Sequence, residues 1–342
     1  MLGTALAAKA AKTLEQESGI QSTHIHDLIW KLENQQLVID SDNLIVVDEA
    51  GMVGTKIMNR LISIAESHGA KLVLVGDHRQ LQAISAGAPF RSIAERFGCK
   101  EMNHIRRQRD GWARQAVYDF RAGKSQLALV EYHKRGLLHV ADDVDASIEQ
   151  LVKDWSKTAI QQRQLNSTLI FASTNLEVAL INQACQMARH EAGNLGERFE
   201  IDGSGYYVSD RIVITKNLRS LGLKNGSLGT IANYNDENQS VLIDFDDGFQ
   251  VWIDINVFSK FKLAYAVSTH KGQGQTVENA YVLVGGSMTD REITYVQSSR
   301  ARGDTRLYTD TVSLGGSLDF LSAQMNRSRA KSMASDHLQD IA

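Results

Sequence analysis

The chain has 342 residues, a net charge of −3 and 43% hydrophobic residues. This length and composition predict two domains with cores of their own, and the slightly acidic balance excludes a protein that coats nucleic acid with its whole surface. Two cysteines far apart in the sequence favour reduced thiols over a zinc site, and no apolar run reaches the ~20 residues that a membrane span needs.

The first 20 residues are predicted to form a helical, lysine-containing segment rather than a signal peptide, and we therefore expect a cytoplasmic protein. His24 and His26 follow as a close histidine pair. Such a pair lacks the third protein ligand of a typical metal site. Metal binding is therefore only the minor alternative for these two histidines.

An apolar segment at residues 44–47 is followed directly by two carboxylates, Asp48 and Glu49. The four apolar residues predict a strand buried on both faces of a parallel sheet, and ligands bind such sheets at the carboxyl ends of the strands. At that place one carboxylate can hold Mg²⁺ through water while its neighbour activates an attacking water. The alternative is that the acidic pair is an ordinary helix N-cap.

A second buried strand is predicted at residues 71–75, and polar residues again follow it, from Gly76 to Gln82. Apolar residues recur at helical spacing over residues 55–68, which predicts a crossover helix and two parallel, neighbouring strands. The two polar ends should then share one crevice. There, Gln80 is suited to contact a terminal phosphate and an attacking water together, because an amide can both donate and accept.

The rest of the chain shows three further patterns. Residues 108–165 are predicted to be mostly helical, and the apolar segment 169–172 predicts a strand that opens a second α/β domain. Short strands without a helix are predicted within residues 205–260, separated by turns such as Asn225-Gly226. These strands favour a small SH3-like β-barrel inserted in the second domain, with a simple β-meander as the alternative. The α/β pattern resumes at residues 280–284.

The sequence contains no phosphate-binding loop of the form Gly-x4-Gly-Lys-Ser/Thr. Gly123-Lys124-Ser125 has the last three residues of this pattern, but Tyr118 stands where the first glycine is required. The triplet also follows a predicted helix rather than a buried strand. We interpret it as a surface turn, which leaves the 342 residues without the N–H groups and lysine that hold the β- and γ-phosphates.

Five segments resemble the motifs of superfamily 1 helicases, specifically of the RecD-like branch. In chain order they are residues 48–51 (motif II), 76–84 (motif III), 103–108 (motif IV), 268–276 (motif V) and 295–302 (motif VI). Each motif is weak evidence by itself. Their occurrence in the family's order along the chain makes the resemblance specific.

The helicase part of conjugative transfer relaxases of the TraA type provides a more specific resemblance. Three groups of segments carry it, namely residues 5–11 with 18–20, residues 48–53 with 69–71 and 76–84, and residues 326–331. That family joins an N-terminal DNA-nicking domain to the motor. We expect this chain to lack the nicking domain, because the histidine pair has no third ligand and no neighbouring tyrosine.

The resemblance implies an α/β protein with two RecA-like motor domains of the P-loop NTPase fold. The implied domains are a first motor domain at residues 1–107, a second at 108–204 plus 261–320, an SH3-like insert at 205–260 and a C-terminal tail at 321–342. Residues 2–14 resemble motif Ia, which follows the phosphate-binding loop by one strand-helix unit. We therefore expect the first motor domain to be N-terminally truncated, with the loop lying just upstream of Met1.

The resemblance also implies a role for each residue of an ATP and Mg²⁺ site. Asp48 would bind Mg²⁺, Glu49 would activate water, Gln80 would sense the γ-phosphate, and Arg107 and Arg300 would stabilise the transition state from opposite sides. The remaining nucleotide contacts would come from Gly76, Asp77, Gln273 and Gly274. For the arginines, the alternative is a solvated basic face.

Contacts with single-stranded DNA are implied for two groups of residues. Thr23 and His26 lie at the end of the segment that resembles motif Ia, and Thr269, His270 and Lys271 lie in the segment that resembles motif V. Phosphate contacts and base stacking give such motors a grip that does not depend on sequence. The four tryptophans could stack on bases, but core packing is the favoured interpretation for each of them.

The sequence therefore predicts a fragment of an ATP-dependent single-stranded DNA translocase or helicase of a conjugative relaxase. We expect the chain to be deficient in ATP hydrolysis by itself, because the Walker A loop is missing. The alternative is a non-catalytic single-stranded DNA-binding or partner protein derived from such a helicase. A third possibility is that a separate upstream polypeptide supplies the loop together with the relaxase domain.

Overall fold

The computed structural model describes residues 1–83, 85–102, 104–333 and 336. The chain divides into two units: unit 1 comprises residues 1–104 and the described residues from Arg329 onward, and unit 2 comprises residues 105–328. Two residues of the helicase-like motifs, Ile84 and Asn103, lie outside the described residues.

Unit 1 is a four-stranded parallel sheet with helices packed against it. Its helices and strands are β1 (Leu2–Ala5), α1 (Ala8–Ser18), β2 (Ser22–His24), α2 (Ile25–Glu33), β3 (Leu44–Asp48), α3 (Thr55–Ser67), β4 (Lys71–Leu74) and α4 (Pro89–Phe97). The strand order is β2-β1-β3-β4. The helical prediction for the first 20 residues is therefore wrong at its start, where residues 2–5 form a strand between β2 and β3.

The core of unit 1 lies on either side of β3. This strand is flanked by β1 and β4, and Ile45, Val46 and Val47 are buried as the sequence predicts. The prediction of a second buried strand is wrong for β4, where the side chain of Val73 is 41% exposed. The reason is its place at the edge of the sheet, which only one neighbouring strand protects.

The register of unit 1 aligns the carboxyl ends of its strands. Ala5 of β1 pairs with Asp48 of β3, and Val47 pairs with Leu74 of β4, in parallel. The predicted parallel neighbours joined by a crossover helix are thereby confirmed. The polar residues after β3 and β4 consequently lie at the same edge of the sheet.

Unit 2 contains a parallel sheet, an antiparallel sheet and a hairpin. Its first helices and strands are α5 (Gly111–Arg121), α6 (Ser125–Lys134), β5 (Leu138–Ala141), α7 (Val144–Ser156), β6 (Thr168–Ala172), α8 (Asn175–Glu191), β7 (Arg198–Ile201), β8 (Ser204–Tyr207) and β9 (Arg211–Ile214). They are followed by β10 (Leu228–Asn235), β11 (Ser240–Phe245), β12 (Gln250–Asp254), β13 (Phe261–Leu263), β14 (Ala266–Ser268), α9 (Thr269–Gly272), β15 (Asn279–Leu283), α10 (Arg291–Ser298), β16 (Thr305–Asp310), α11 (Thr311–Leu314) and α12 (Leu318–Asn326).

The parallel sheet of unit 2 has the strand order β14-β6-β15-β16-β5 and is covered on both faces. Successive residues of β6 alternate between two cores: Leu169 and Phe171 pack with residues of α5, α6 and α12, and Ile170 and Ala172 pack with residues of α7 and α8. Strand β5 interrupts the region predicted to be mostly helical. Its four residues gave too short a pattern to be recognised.

The antiparallel sheet has the order β12-β11-β10-β9-β13 and a core of its own. Its strands β9 to β12 match the short strands expected from the sequence, and β13 extends the sheet beyond residue 260. The hairpin β7-β8 begins before residue 205. Closure of these strands into an SH3-like barrel stays a prediction.

The domain boundaries of the structure differ from those expected. The first unit ends at His104, and helix α12 runs to Asn326, so the tail expected from residue 321 begins inside a helix. Leu321 and Met325 of this helix are buried in the core of unit 2, which explains why it stays with that unit. The segment from Arg329 onward instead contacts unit 1, where Lys331 N donates to Gln82 Oε1 at 2.6 Å.

The tryptophans divide equally between core and surface. Trp155 is fully buried, and Trp112 packs edge-on against Tyr132 at 5.3 Å between ring centroids. Core packing is wrong for Trp30 and Trp252, which are 52% and 45% exposed. Among the described residues, none of the helices combines the length and apolar character that crossing a membrane requires.

Candidate functional site

The loop after β3 carries the acidic pair at the carboxyl edge of the sheet in unit 1. Asp48 is partly buried, and its Oδ1 accepts a hydrogen bond from Glu49 N at 2.9 Å. Burial raises the pKa of the Asp48 carboxyl above its usual value, Glu17 raises it further, and the bond from Glu49 N opposes both. A cation bound at this carboxylate would favour its charged form.

Glu49 has a left-handed backbone conformation, with φ of +50° and ψ of 40°. For a residue with a side chain, this conformation costs on the order of 1–3 kcal/mol, and it persists only where neighbouring contacts impose it. Here Ala50 N donates to Val75 O at 2.8 Å, and Met52 N donates to Glu49 O at 2.9 Å. A three-residue 3₁₀ turn follows, and α3 begins only at Thr55, so the pair does not start an α-helix as the N-cap alternative requires.

The loop after β4 packs against this acidic loop backbone to backbone. A Cβ atom on Gly76 would lie 3.0 Å from Ala50 N and 3.1 Å from Gly51 N. A Cβ atom on Gly51 would lie 3.2 Å from Asp77 O. A side chain at either position would therefore crowd the facing backbone, and this close contact brings the segment that follows β4 beside the acidic loop.

Gln80 lies in that segment, and among the described residues only one of the two polar atoms of its amide group has a hydrogen-bond partner. Its Nε2 lies 3.4 Å from Asp77 Oδ2, which accepts a weak hydrogen bond. Its Oε1 is buried and has no partner among the described residues. The other carboxyl oxygen of Asp77 accepts from Arg79 N at 3.0 Å, which fixes the turn. A buried amide oxygen of this kind can accept a hydrogen bond from a bound water.

The predicted DNA contacts of unit 1 lie at the end of β2. The backbone oxygen of Thr23 accepts from Thr4 Oγ1 at 2.9 Å, and His26 is exposed in the first turn of α2. His24 Nδ1 accepts from His26 N at 3.3 Å, so His24 caps this helix. No cluster of three or more metal-ligating side chains occurs among the residues that the structure describes.

The two predicted catalytic arginines lie close together in unit 2. Arg107 Nη1 donates to Ser299 O at 2.8 Å, and Arg300 Nη2 donates to Ser299 Oγ at 2.8 Å. Gln108 is buried and joins the same backbone, donating to Ser299 O and to Ala301 O at 3.1 and 2.8 Å. Placing Arg107 in the first motor domain is therefore a correction to the sequence prediction, because these bonds attach it to the segment that resembles motif VI.

Arg300 is 3% exposed and folds back onto the helix that precedes it. Its Nε donates to Val296 O at 2.9 Å and to Ser299 Oγ at 3.2 Å. A solvated basic face is therefore the wrong interpretation for this arginine. To reach a phosphate, the guanidinium would exchange these internal bonds for phosphate oxygens.

Three residues of the segment that resembles motif V were predicted to contact DNA, and one of them is buried. Thr269 is 1% exposed, its Oγ1 donates to Ala172 O at 3.3 Å and accepts from Gln297 Nε2 at 2.8 Å. Its hydroxyl thus connects the segments that resemble motifs V and VI, in place of the predicted DNA contact. His270 and Lys271 are exposed, so the predicted contact with DNA rests on them.

Gln273 and Gly274 follow helix α9 in the same segment of unit 2. Gln273 Oε1 is buried without a partner among the described residues, and Gly274 has a φ of +79°. Gln273 thus offers a hydrogen-bond acceptor, and Gly274 provides a left-handed turn. Their contact with nucleotide stays a prediction.

A cavity of about 460 Å³ lies beside this segment and is open to solvent. The residues that line it include Lys260, Lys262 and Lys271, together with Ser268 and Thr215. Asp202 also lines it, and its Oδ2 lies 3.7 Å from Lys260 Nζ. Partial burial lowers the pKa of the Lys271 ammonium, and the positive charge of Lys262 lowers it further. The arrangement of cations and hydroxyls suits a phosphate backbone.

Two of these cations, Lys260 and Lys262, were missed by the sequence reasoning. They flank Phe261 at the start of β13, and Phe261 is buried. Side chains two residues apart point to the same face of a strand. The alternation of lysine and an apolar residue was the signal in the sequence.

Comparisons with known proteins agree with this architecture. Residues 1–143 match the AAA domain family. Conjugal transfer protein TraA of Rhizobium radiobacter is 35% identical over 347 residues, which cover 98% of this chain and 31% of TraA. RecBCD enzyme subunit RecD of Mycolicibacterium smegmatis is 26% identical over 290 residues, which cover 78% of this chain and 50% of RecD. The chain thus spans about a third to a half of the length of these relatives.

A solved structure shares the fold at low sequence identity. The crystal structure of Pif1 helicase from Bacteroides in complex with ADP-AlF3 and ssDNA aligns with a TM-score of 0.55 and 16% identity. The alignment covers 90% of this chain and 82% of the Pif1 chain. The α/β fold with parallel sheets therefore resembles the RecA-like domains of Pif1.

Proposed function

We propose that this chain, a homologue of the RecD-like superfamily 1 helicases that is related to TraA, is the motor part of an ATP-dependent single-stranded DNA translocase. Within that proposal, the motor serves a conjugative relaxase. The chain is 35% identical to a conjugal transfer protein in an alignment that covers 98% of the chain, and this similarity supports the assignment.

The observation that carries the proposal is the close packing of the two loops after β3 and β4. Gly51 and Gly76 let the loops touch, and the contact gathers Asp48, Glu49 and Gln80 at one edge of the sheet. These three side chains offer an Mg²⁺ ligand, a general base and a water-orienting amide. Phosphoryl transfer to water needs this set of groups.

The residues of unit 1 fit a nucleotide with Mg²⁺. Asp48 would hold the ion, because a carboxylate is a preferred protein ligand for magnesium, and the ion would neutralise charge on the phosphates. Glu49 would take the proton of the attacking water. Gln80 would orient that water through Oε1, the buried acceptor that has no partner among the described residues.

For two arginines of unit 2 we propose the role of stabilising negative charge on a phosphate. Arg107 and Arg300 both donate hydrogen bonds to Ser299, so a shift of this residue would move both guanidinium groups. Two permanently charged planar donors suit the equatorial oxygens of the transition state. We propose Gln273 and Gly274 as additional nucleotide contacts of this unit.

The lysine-lined cavity of unit 2 supports binding of single-stranded DNA. Lys260, Lys262 and Lys271 would contact phosphates, and His270 stands beside Lys271 on the exposed turn. For unit 1 by itself, we propose Thr23 and His26 as residues that contact DNA. Such contacts read charge rather than base identity, which a translocating motor requires.

We propose that the 342-residue polypeptide by itself hydrolyses ATP slowly, because its sequence contains no Gly-x4-Gly-Lys-Ser/Thr loop. The test is the rate of ATP hydrolysis with and without single-stranded DNA, for the wild type and for Glu49→Gln. Glu66→Gln, which removes an exposed carboxylate on α3 of unit 1, is the matched control. Fast, DNA-stimulated turnover that only Glu49→Gln abolishes would refute slow hydrolysis while supporting the role of Glu49.

A second arm of this experiment adds a separate polypeptide that carries Gly-x4-Gly-Lys-Thr. A rise in the rate that depends on Glu49 would support completion of the site by another chain. An unchanged rate would argue against it.

The second candidate is a non-catalytic protein that binds single-stranded DNA. The observation in its favour is the combination of a lysine-lined cavity in unit 2 with a sequence that lacks the phosphate-binding loop. It predicts DNA affinity that is the same with and without ATP and Mg²⁺. The translocase predicts an affinity that changes with nucleotide.

A further inference from the structure

Helix α8 turns three polar side chains toward the interior of unit 2. Asn182, Gln186 and Arg189 are spaced by four and three residues, which places them on one face of the helix. Asn182 is 4% exposed and Arg189 is 7% exposed. Burial of polar groups destabilises a fold unless their hydrogen bonds are made, so the partners of this face indicate what it holds.

Asn182 uses its whole hydrogen-bonding capacity. Its Oδ1 accepts from Tyr265 N at 2.8 Å and from Ala266 N at 3.0 Å. Its Nδ2 donates to Ala266 O at 2.9 Å and to Val178 O at 2.8 Å. Three of these four bonds go to the backbone at the start of β14.

Strand β14 has only three residues and stands at the outer edge of the parallel sheet. Its inner side is bonded to β6, and a strand so short gains few hydrogen bonds from one neighbour. Asn182 occupies its outer side, where a further strand would otherwise bond. The chain passes from this strand directly to His270 and Lys271, two residues of the proposed DNA contact.

A second set of bonds joins the same helix to the antiparallel sheet. Gln186 Nε2 donates to Asp210 Oδ2 at 2.6 Å, and Tyr265 Oη donates to Asp210 Oδ1. Arg189 Nη1 donates to Tyr265 Oη at 3.0 Å. Helix α8, the residue before β9 and the residue before β14 are thereby held in one network.

We infer that Asn182 is a positioning residue that fixes β14 and the turn carrying His270 and Lys271 for contact with the phosphates of single-stranded DNA. The inference rests on the proposed function in its DNA-binding part. Asn182 itself lines the cavity but acts through the backbone of residues 265 and 266.

The test is Asn182→Asp, with Gln183→Glu as the control. The aspartate keeps the shape of the side chain but loses both donors and places an oxygen opposite Ala266 O and Val178 O. Gln183 is the next residue of α8 and is exposed, so its variant makes the same change of amide to carboxylate away from β14. Hydrogen exchange of the peptide covering residues 264–272 reports the position of β14 without DNA.

We expect Asn182→Asp to speed exchange in residues 264–272 and to weaken binding of a fluorescent oligo-dT, each by about tenfold, because donors are lost and carbonyl oxygens are left unpaired. Gln183→Glu should change both by less than about twofold. Exchange and binding in Asn182→Asp that match the control would overturn the inference. Both are measured well below the melting temperature, which circular dichroism gives for each variant.

The pH dependence separates positioning from general loss of structure. Protonation of the aspartate restores one donor, so the defect of Asn182→Asp in DNA binding should shrink as the pH falls, relative to Gln183→Glu. A defect of constant size would contradict the mechanism. If the wild type fails to bind DNA, the proposed function is refuted, and rapid exchange confined to Asn182→Asp would still establish what holds β14.

Discussion

Replacement of Glu49 by alanine and by glycine tests whether the backbone of the acidic loop is strained. At a φ of +50°, alanine keeps the unfavourable left-handed conformation and glycine relieves it. We expect Glu49→Gly to be more stable than Glu49→Ala by about 1 kcal/mol, the strain of roughly 1–2 kcal/mol less the entropy that glycine adds to the unfolded chain. Both variants should lose activity that depends on the Glu49 carboxylate.

Glu15 supplies the matched control for this pair of variants. It is exposed in the interior of α1, in the same unit. In a helix, alanine is more favourable than glycine by about 1 kcal/mol, so Glu15→Ala should be more stable than Glu15→Gly. The order of alanine and glycine is thus expected to reverse between the two positions.

The assay is urea unfolding of the four variants, followed by circular dichroism and by native-state proteolysis. Two probes are needed because a chain with two units can unfold in more than one step. The difference between the two alanine-to-glycine effects should total about 2 kcal/mol. The same sign at both positions would refute the strain at Glu49.

Three further predictions concern the candidate site. Asp48→Asn should raise the free energy of unfolding at pH 7, because burial raises the pKa of Asp48 and its charged form destabilises the fold. This gain in stability over the wild type should shrink as the pH falls through that pKa. A gain in stability that persists at low pH would contradict this cause. Gly76→Ala should destabilise unit 1 by about 1–3 kcal/mol, since its Cβ would lie 3.0 Å from Ala50 N, and an unchanged urea midpoint would argue against the loop contact. Lys262→Ala should remove one phosphate contact and so reduce the slope of the log of the binding constant for oligo-dT against the log of the salt concentration by about one. An unchanged slope would show that Lys262 does not contact the DNA.

The sequence predicted the parallel strands β3 and β4 because their patterns were local and strong. An apolar run followed by polar residues identifies a buried strand and its carboxyl end, and the helix between them fixes their direction. β5 was missed because four residues carry little pattern. The burial of β4 was overestimated because strand order decides which strand lies at an edge.

The sequence also predicted one part of the candidate site and not the other. Asp48, Glu49 and Gln80 follow strands directly, so their common edge could be inferred from the chain. The internal use of Thr269 could not, because its partners Ala172 and Gln297 come from distant segments. Lysines 260 and 262 join the cavity only because a strand of the antiparallel sheet passes beside β14.

The sequence by itself determined the chemistry that unit 1 presents, since two carboxylates and an amide at strand ends follow from local order alone. Tertiary structure decided how those groups are held. The strain at Glu49 comes from backbone contacts with the loop after β4, and the meeting of Arg107 with Arg300 comes from hydrogen bonds between segments almost 200 residues apart. Contacts between distant segments depend on the whole fold, and a local pattern of residues does not encode them.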